Sequence, residues 1–210
     1  MQPCGLSRAA FRFRDGAGEL TDVTVGRVNN SFDGARRFRI RYDTPVVNGL
    51  RVAASTGMKD SDVREIALWY SGDLGATGRL AGAFGYSKEN PTPTVAVDDK
   101  TVGGSVSWLH PTGFNATIGY SKRDAGPAEG KFTYLKGGYK WDKHAVSADY
   151  AMGDDQAQAG DEASSFSIAY VFTPIAWAEM FALVKQAELD RPGASHDDLT
   201  FVMVGTRLKF

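Results

Sequence analysis

Thr200-Phe201-Val202-Met203-Val204-Gly205-Thr206-Arg207-Leu208-Lys209-Phe210 is the stretch on which the reading of this chain turns. Taken in steps of two, Thr200, Val202, Val204, Thr206, Leu208 and Phe210 form one set, neutral or apolar and ending in a ring. Phe201, Met203, Gly205, Arg207 and Lys209 form the other, and both charges fall there. In extended chain, successive side chains point to opposite faces, so this pattern predicts a strand with one apolar and one polar side.

The same alternation recurs backwards along the sequence. Phe166, Ile168, Tyr170 and Phe172 alternate with Ser165, Ser167 and Ala169; Phe114, Ala116, Ile118 and Tyr120 alternate with Asn115, Thr117 and Gly119. Val102, Gly104, Val106 and Trp108 alternate with Gly103, Ser105 and Ser107, and Phe38, Ile40 and Tyr42 alternate with Arg37, Arg39 and Arg41. Eleven candidate strands follow, at 36–43, 49–56, 63–71, 78–87, 101–110, 113–122, 131–141, 144–152, 163–173, 175–186 and 199–210. Most are near the roughly 9–11 residues that a tilted strand needs to cross a bilayer, and longer than the about 5–6 residues of an ordinary globular strand.

The connections alternate in length. Pro111-Thr112, Asp142-Lys143 and Pro174 are very short, and 44–48 and 72–76 are short. Between them fall 88–100, 123–130, 153–162 and 187–198, rich in Gly, Pro, Asp and Glu, with 57–62 a modest member of the long set. Short turns on one rim and long loops on the other is the layout of a transmembrane barrel. Tyr42, Trp69, Tyr70, Trp108, Tyr120, Tyr139, Trp141, Tyr150 and Trp177 gather near strand ends, where rings with one polar end favour the headgroup level. The fold class predicted is all-β, a transmembrane antiparallel barrel whose charged set (Arg37, Arg39, Arg41, Asp149, Lys185, Arg207, Lys209) faces a wet lumen. The segment before Ala35 is turn-rich, with short strands expected at Phe11-Arg12-Phe13-Arg14 and at 23–28.

Composition closes other routes. The net charge of −1 gives no basic excess to neutralise phosphates, so no nucleic-acid partner is expected. One cysteine, Cys4, excludes an internal disulfide and a cysteine-built zinc site. No apolar run approaches the roughly 18 residues of a membrane-spanning helix. Residues 1–14 have no apolar h-region and carry Arg8, Arg12 and Arg14, so no secretory signal is read there. An exported protein lacking one is expected to be a mature form, a fragment or a truncated product. His110, His144 and His196 are scattered, no metal motif and no nucleophile elbow occurs, and Ser107 near His110 reads as chance. Asp154, Asp155, Asp161 and Glu162 crowd one loop without a calcium-loop spacing, and a solvated external loop is expected. No enzyme, cofactor or metal is called.

Phe11-Arg12-Phe13-Arg14-Asp15, Asn30-Ser31-Phe32-Asp33-Gly34, Arg39-Ile40-Arg41-Tyr42-Asp43, Gly153-Asp154-Asp155 with Gly160-Asp161-Glu162-Ala163, and the closing 204–210 together resemble the C-terminal part of Gram-negative general porins, particularly the alphaproteobacterial type. The resemblance implies an outer-membrane barrel of about 16 strands in full length, assembled as a homotrimer, in contact with outer-membrane lipid and lipopolysaccharide, and passing small hydrophilic solutes and ions by passive diffusion. It makes residues 1–34 the remnant of the constriction-loop region and an irregular start, and 35–210 the barrel strands. It makes Arg37, Arg39 and Arg41 a pore-lining ladder facing acids of the infolded loop, among them Asp15, Glu19, Asp22 and Asp33, with Arg12 and Arg14 joining the constriction. The terminal Phe210 is similar to the signal read by the barrel-assembly machinery.

Eleven strands fall short of the family's number. The expectations are a part of a larger barrel, a smaller closed barrel, or a sheet completed by another chain. The alternatives to a pore are a truncated or structural outer-membrane barrel without an open lumen, and a soluble β-barrel binding an apolar ligand.

Overall fold

The computed structural model describes residues 11–32, 38–57, 62–91, 97–125 and 129–209. The chain opens with β1 (Arg12–Asp15), β2 (Leu20–Thr24) and a single helical turn, α1 (Val25–Val28). The wall follows: β3 (Arg39–Asp43), β4 (Leu50–Gly57), β5 (Val63–Asp73), β6 (Arg79–Glu89), β7 (Asp99–Leu109), β8 (Phe114–Asp124), β9 (Glu129–Trp141), β10 (His144–Asp154), β11 (Glu162–Ile175) and β12 (Ala178–Asp190). A two-residue strand, β13 (His196–Asp197), precedes the last wall strand, β14 (Leu199–Leu208). The wall is one eleven-stranded antiparallel sheet in strict chain order from β3 to β12 and then β14, while β13, β1 and β2 form a small second sheet.

Each of the eleven expected wall strands is present. The differences lie at the ends. Toward the long-loop rim the ladders run on past the predicted limits: Glu89 stands opposite Asp99 and Asp124 opposite Glu129, and bases placed diagonally offset the repulsion between these acids. Arg123 holds Asp99 with Nη2 at 2.5 Å, and Lys122 reaches Glu129 at 2.8 Å. The turn placed at Pro174 lies instead at Ala176-Trp177. Pro174 has no N–H to give the ladder, and the register shifts between Phe172 and Ile175 rather than reversing there. Val25–Val28, expected as part of a strand, is helical, with Asn29 N–H donating back to the Val25 carbonyl at 3.0 Å.

The short-turn rim is closed tightly. Asp142 turns at φ 45° in the two-residue loop between β9 and β10. Gly113 takes φ 101°, where a Cβ would lie 2.0 Å from the Lys140 carbonyl oxygen, so only glycine fits. Lys140 N–H in turn donates to the Gly113 carbonyl at 3.0 Å, joining one hairpin to the next.

The two faces are the reverse of a soluble barrel's. On the outward face Ile66, Phe84, Val106, Ile118, Leu135, Ile168 and Val184 are all exposed. On the inward face the middle of β5 to β8 is mostly small, with Ala67, Ala83, Gly85, Gly103, Ser105, Thr117 and Gly119, while Lys136, Asp149 and Lys185 put charge at mid-strand on β9, β10 and β12. The outward aromatics form a girdle toward the short-turn rim: Phe114 and Tyr139 at 4.5 Å, Tyr139 and Trp141 at 5.6 Å, Trp141 and His144 at 5.5 Å. His144 Nδ1 and the Tyr170 hydroxyl share a hydrogen bond at 2.6 Å. Trp69, expected in this belt, is on the inward face instead. It stands opposite Arg51 and Ala83 in the register, and Tyr70 beside it takes the outward position. Adjacent residues of a strand cannot share a face.

Candidate functional site: the inner wall and its infolded segment

Residues 11–32 lie on the inward face, on the long-loop half. Phe13, Val23, Val25 and Val28 are buried against Ala163 of β11 and Ala187 and Leu189 of β12. Phe13 is fully buried, worth roughly 1.5–3 kcal/mol for such a side chain. From there the chain crosses the wall strand by strand. Asn29 Nδ2 donates to the Ala151 carbonyl at 3.3 Å and to Ser165 Oγ at 3.1 Å. Gln156 clamps the next residue: its Oε1 accepts from Asn30 N–H at 2.8 Å, and its Nε2 donates to the Asn30 carbonyl at 3.0 Å and the Lys131 carbonyl at 2.8 Å. Ser121 Oγ, on β8, donates to the Ser31 carbonyl at 3.3 Å. The approach is close enough that a Cβ at Gly153 would lie 2.3 Å from the Val28 carbonyl oxygen.

Two spaces flank this strap. One of about 1210 Å³ is bounded by Asn30 and Ser31 and by β5 to β9, including Trp69, Arg79, Ser107 and Lys136. A smaller one of about 390 Å³ separates Ser31 and Phe32 from Arg39, Arg41, Ser55 and Glu65.

The wall beside the smaller space is a network of opposite charges. Arg39 Nη1 donates to Glu65 Oε2 at 2.7 Å, and Ser55 Oγ donates to the same oxygen at 2.5 Å. Arg41 grips Asp43 with Nε at 2.8 Å and Nη2 at 2.7 Å, the two-pronged geometry that makes guanidinium–carboxylate pairs specific. Arg41 and Arg51 also stand over the Trp69 ring, at 5.2 and 4.6 Å from its centroid. Elsewhere on the inner wall Ser167 Oγ donates to Asp149, and Arg207 and Lys209 flank Glu179 at 3.2 and 2.5 Å.

The expected site residues divide three ways. Arg39 and Arg41 are on the inward face, next to the strap's end. Arg37 and Asp33 lie outside the described residues. Arg12 and Arg14 are on β1, which pairs with β13 in the loop before β14, at the far end of the strand order from β3. Arg12 is exposed, and Arg14 Nη1 donates to the Gly18 carbonyl at 2.5 Å. The acids expected to face the ladder do not do so among the described residues. Asp15 accepts from Ala17 and Glu19 N–H within its own turn, and Asp22 faces Arg27 at 3.7 Å. Glu65 and Asp43, on the wall itself, take that place. Glu65, Arg51 and Trp69 were missed, although they stand at inward parity on the strands next to β3.

The acidic loop also differs from expectation. Asp161 is buried, not solvated, and Arg191 holds it with Nε at 2.7 Å and Nη2 at 2.6 Å, tying the loop after β10 to the loop after β12. The paired carboxylate holds the Arg191 guanidinium above its ordinary pKa. Among the described residues no group of three or more His, Cys, Asp and Glu is arranged to hold a metal ion.

A sequence profile described as Gram-negative porin matches residues 7–173. The chain belongs to the Gram-negative porin family. It is an outer-membrane protein of porin fold, and several solved structures resemble it in fold. OpdL of Pseudomonas aeruginosa superposes at TM-score 0.64 and 14% identity, over 80% of this chain and 58% of that one. A loop-deletion mutant of OmpT, an outer membrane protein of Vibrio cholerae, gives 0.54 and 15%, over 81% and 62%. OccAB4 of Acinetobacter baumannii gives 0.62 and 11%, over 80% and 52%. The chain thus spans about half to three fifths of the length of these neighbours. Among curated proteins no sequence match was found.

Proposed function

We propose that this porin chain is wall and constriction of a passive diffusion channel for small hydrophilic solutes and ions, without enzymatic activity. The observation that carries the reading is the strap of residues 25–32 laid across a polar inner wall, leaving charged space beside it. In this reading the segment through residue 34 narrows the lumen and the strands from residue 35 enclose it. Arg39 and Arg41, with Arg37 and Asp33 of the same stretch, set the field that a solute crosses. Opposed charges across a narrow lumen orient polar solutes and disfavour apolar ones. The whole protein works as a homotrimer bedded in outer-membrane lipid and lipopolysaccharide.

The test is single-channel recording after refolding the 210-residue chain into planar bilayers. Discrete conductance steps that change when Arg39 and Arg41 are replaced by glutamine support the reading. A heat-modifiable barrel without conductance supports the second reading, a structural barrel with no open lumen. That reading has its own observation: β3 and β14 each pair on one side only among the described residues.

A further inference from the structure

The larger of the two spaces beside the strap has a charge pattern that the smaller one lacks. Around the smaller space the bases are matched: Arg39 is held by Glu65 and Arg41 by Asp43. The larger space, of about 1210 Å³, is bordered by two bases, Arg79 and Lys136, and by no acid among the described residues. Small-molecule sites span about 300–1,000 Å³, so one small solute fits there with water around it.

Each of the two bases does have an acid across the ladder, Asp73 opposite Arg79 and Asp149 opposite Lys136. Neither acid lies within ion-pair distance of its base. Asp73 Oδ1 instead accepts from Gly75 N–H at 2.7 Å, in the turn after β5. Asp149 accepts from Ser167 Oγ, on the strand at its other side. Lys136 is half-buried. A cation partly removed from water and left without a carboxylate gains from an anion that arrives with a solute.

The wall between these bases is rich in hydroxyls. Thr117 stands directly opposite Lys136 and Ser107 opposite Thr117, and the two hydroxyls share a hydrogen bond at 2.9 Å. Ser71 and Ser105 border the same space. Trp69 closes it on the β5 side, an apolar surface steadied by Arg41 and Arg51 over its ring. Three strand spacings of about 4.8 Å separate β6 from β9, a gap that the long side chains of Arg79 and Lys136 narrow.

We infer that this space takes polyhydroxy carboxylates of the hexuronate kind. The carboxylate sits on Lys136, hydroxyls exchange hydrogen bonds with Ser107 and Thr117, and the C–H groups of the sugar ring lie against Trp69. Arg79, exposed at the short-turn end of the space, draws the anion in. The inference rests on the pore reading for its solute path and adds a solute class to it.

The test is saturation-transfer NMR of the refolded chain in detergent micelles, titrated separately with glucuronate, glucose and acetate. Glucuronate binds saturably and about tenfold more tightly than either of the others, the worth of one charge-assisted hydrogen bond. Lys136→Gln removes that advantage and leaves glucose binding unchanged. Trp69→Leu weakens glucuronate and glucose alike. Asp149→Asn keeps an acceptor for Ser167 and removes a negative charge beside Lys136, so it tightens glucuronate binding, a gain that misfolding does not produce. Equal binding of glucuronate and glucose overturns the inference, as does an undiminished preference in Lys136→Gln. Acetate binding as tightly as glucuronate overturns it too, since the site would then be one for any small anion. Binding in micelles needs no conduction. Conductance steps without saturable glucuronate binding therefore end this inference alone, and saturable binding without conductance upholds the site and ends the pore reading.

Discussion

Replacing Ile118 by lysine asks whether the wall faces lipid as described. Ile118 is 56% exposed on the outward face of β8, between Val106 and Leu135 on the neighbouring strands. It is four residues from Phe114 in one girdle and two from Tyr120 toward the other. Those separations are about 14 and 7 Å along the strand, or about 10 and 5 Å of depth at a tilt near 40°. A lysine on the lipid face costs about 2–4 kcal/mol at the midplane and about 0–1 near the interface, so this depth predicts a loss of about 2–3 kcal/mol. Thr117, next in sequence, faces inward and shares a hydrogen bond with Ser107 at 2.9 Å. Thr117→Lys removes that bond but keeps the new charge in water, so the loss is about 1 kcal/mol. The assay is urea titration of the chain refolded in vesicles, followed by tryptophan emission and by heat-modifiable gel mobility. A larger loss for Thr117→Lys than for Ile118→Lys would refute the orientation and turn the sheet inside out.

Breaking the Asp161–Arg191 pair with Asp161→Ala strands a guanidinium in a buried setting and is expected to cost about 3–5 kcal/mol in the same titration; the double variant with Arg191→Met recovers most of it. Gly153→Val drives a side chain into the Val28 carbonyl and lifts the strap, which limited trypsin digestion reads as faster cleavage after Arg27; unchanged cleavage would count against the close approach. Glu65→Gln releases Arg39 from its carboxylate and makes the lumen more positive. The reversal potential in a salt gradient then shifts toward anion preference, and a cation-ward shift would contradict the charge assignment.

Much of this wall was legible because each strand carries its orientation in its parity. One apolar set and one small or charged set, repeated with short and long connections in turn, leaves little freedom. Where two rings are adjacent, as at Trp69-Tyr70, the pattern alone does not say which one faces lipid; the register with Arg51 decides it. The ladders' extra length was hidden because Glu89, Asp99, Asp124 and Glu129 look like loop residues until their cross-strand partners are known. The ion-pair partners were hidden for a related reason. Glu65 lies 26 residues from Arg39 in sequence, and Asp161 lies 30 from Arg191, so nothing local marks either pair. The helical turn at Val25–Val28 owes its shape to the fit against β11 and β12 rather than to its own β-branched residues.

The number of wall strands has a consequence for how the sheet can be completed. Every neighbouring pair from β3 to β14 is antiparallel, and ten steps separate the first from the last. The two edge strands of the open sheet, β3 and β14, therefore run in the same direction across the membrane. Joining them directly would make a parallel seam, and so would joining β14 of one copy to β3 of another inserted the same way up. An all-antiparallel cylinder is reached only by inserting an odd number of further strands between them. Counting parity thus separates the kinds of partner that can seal this wall from those that cannot, without reference to any side chain.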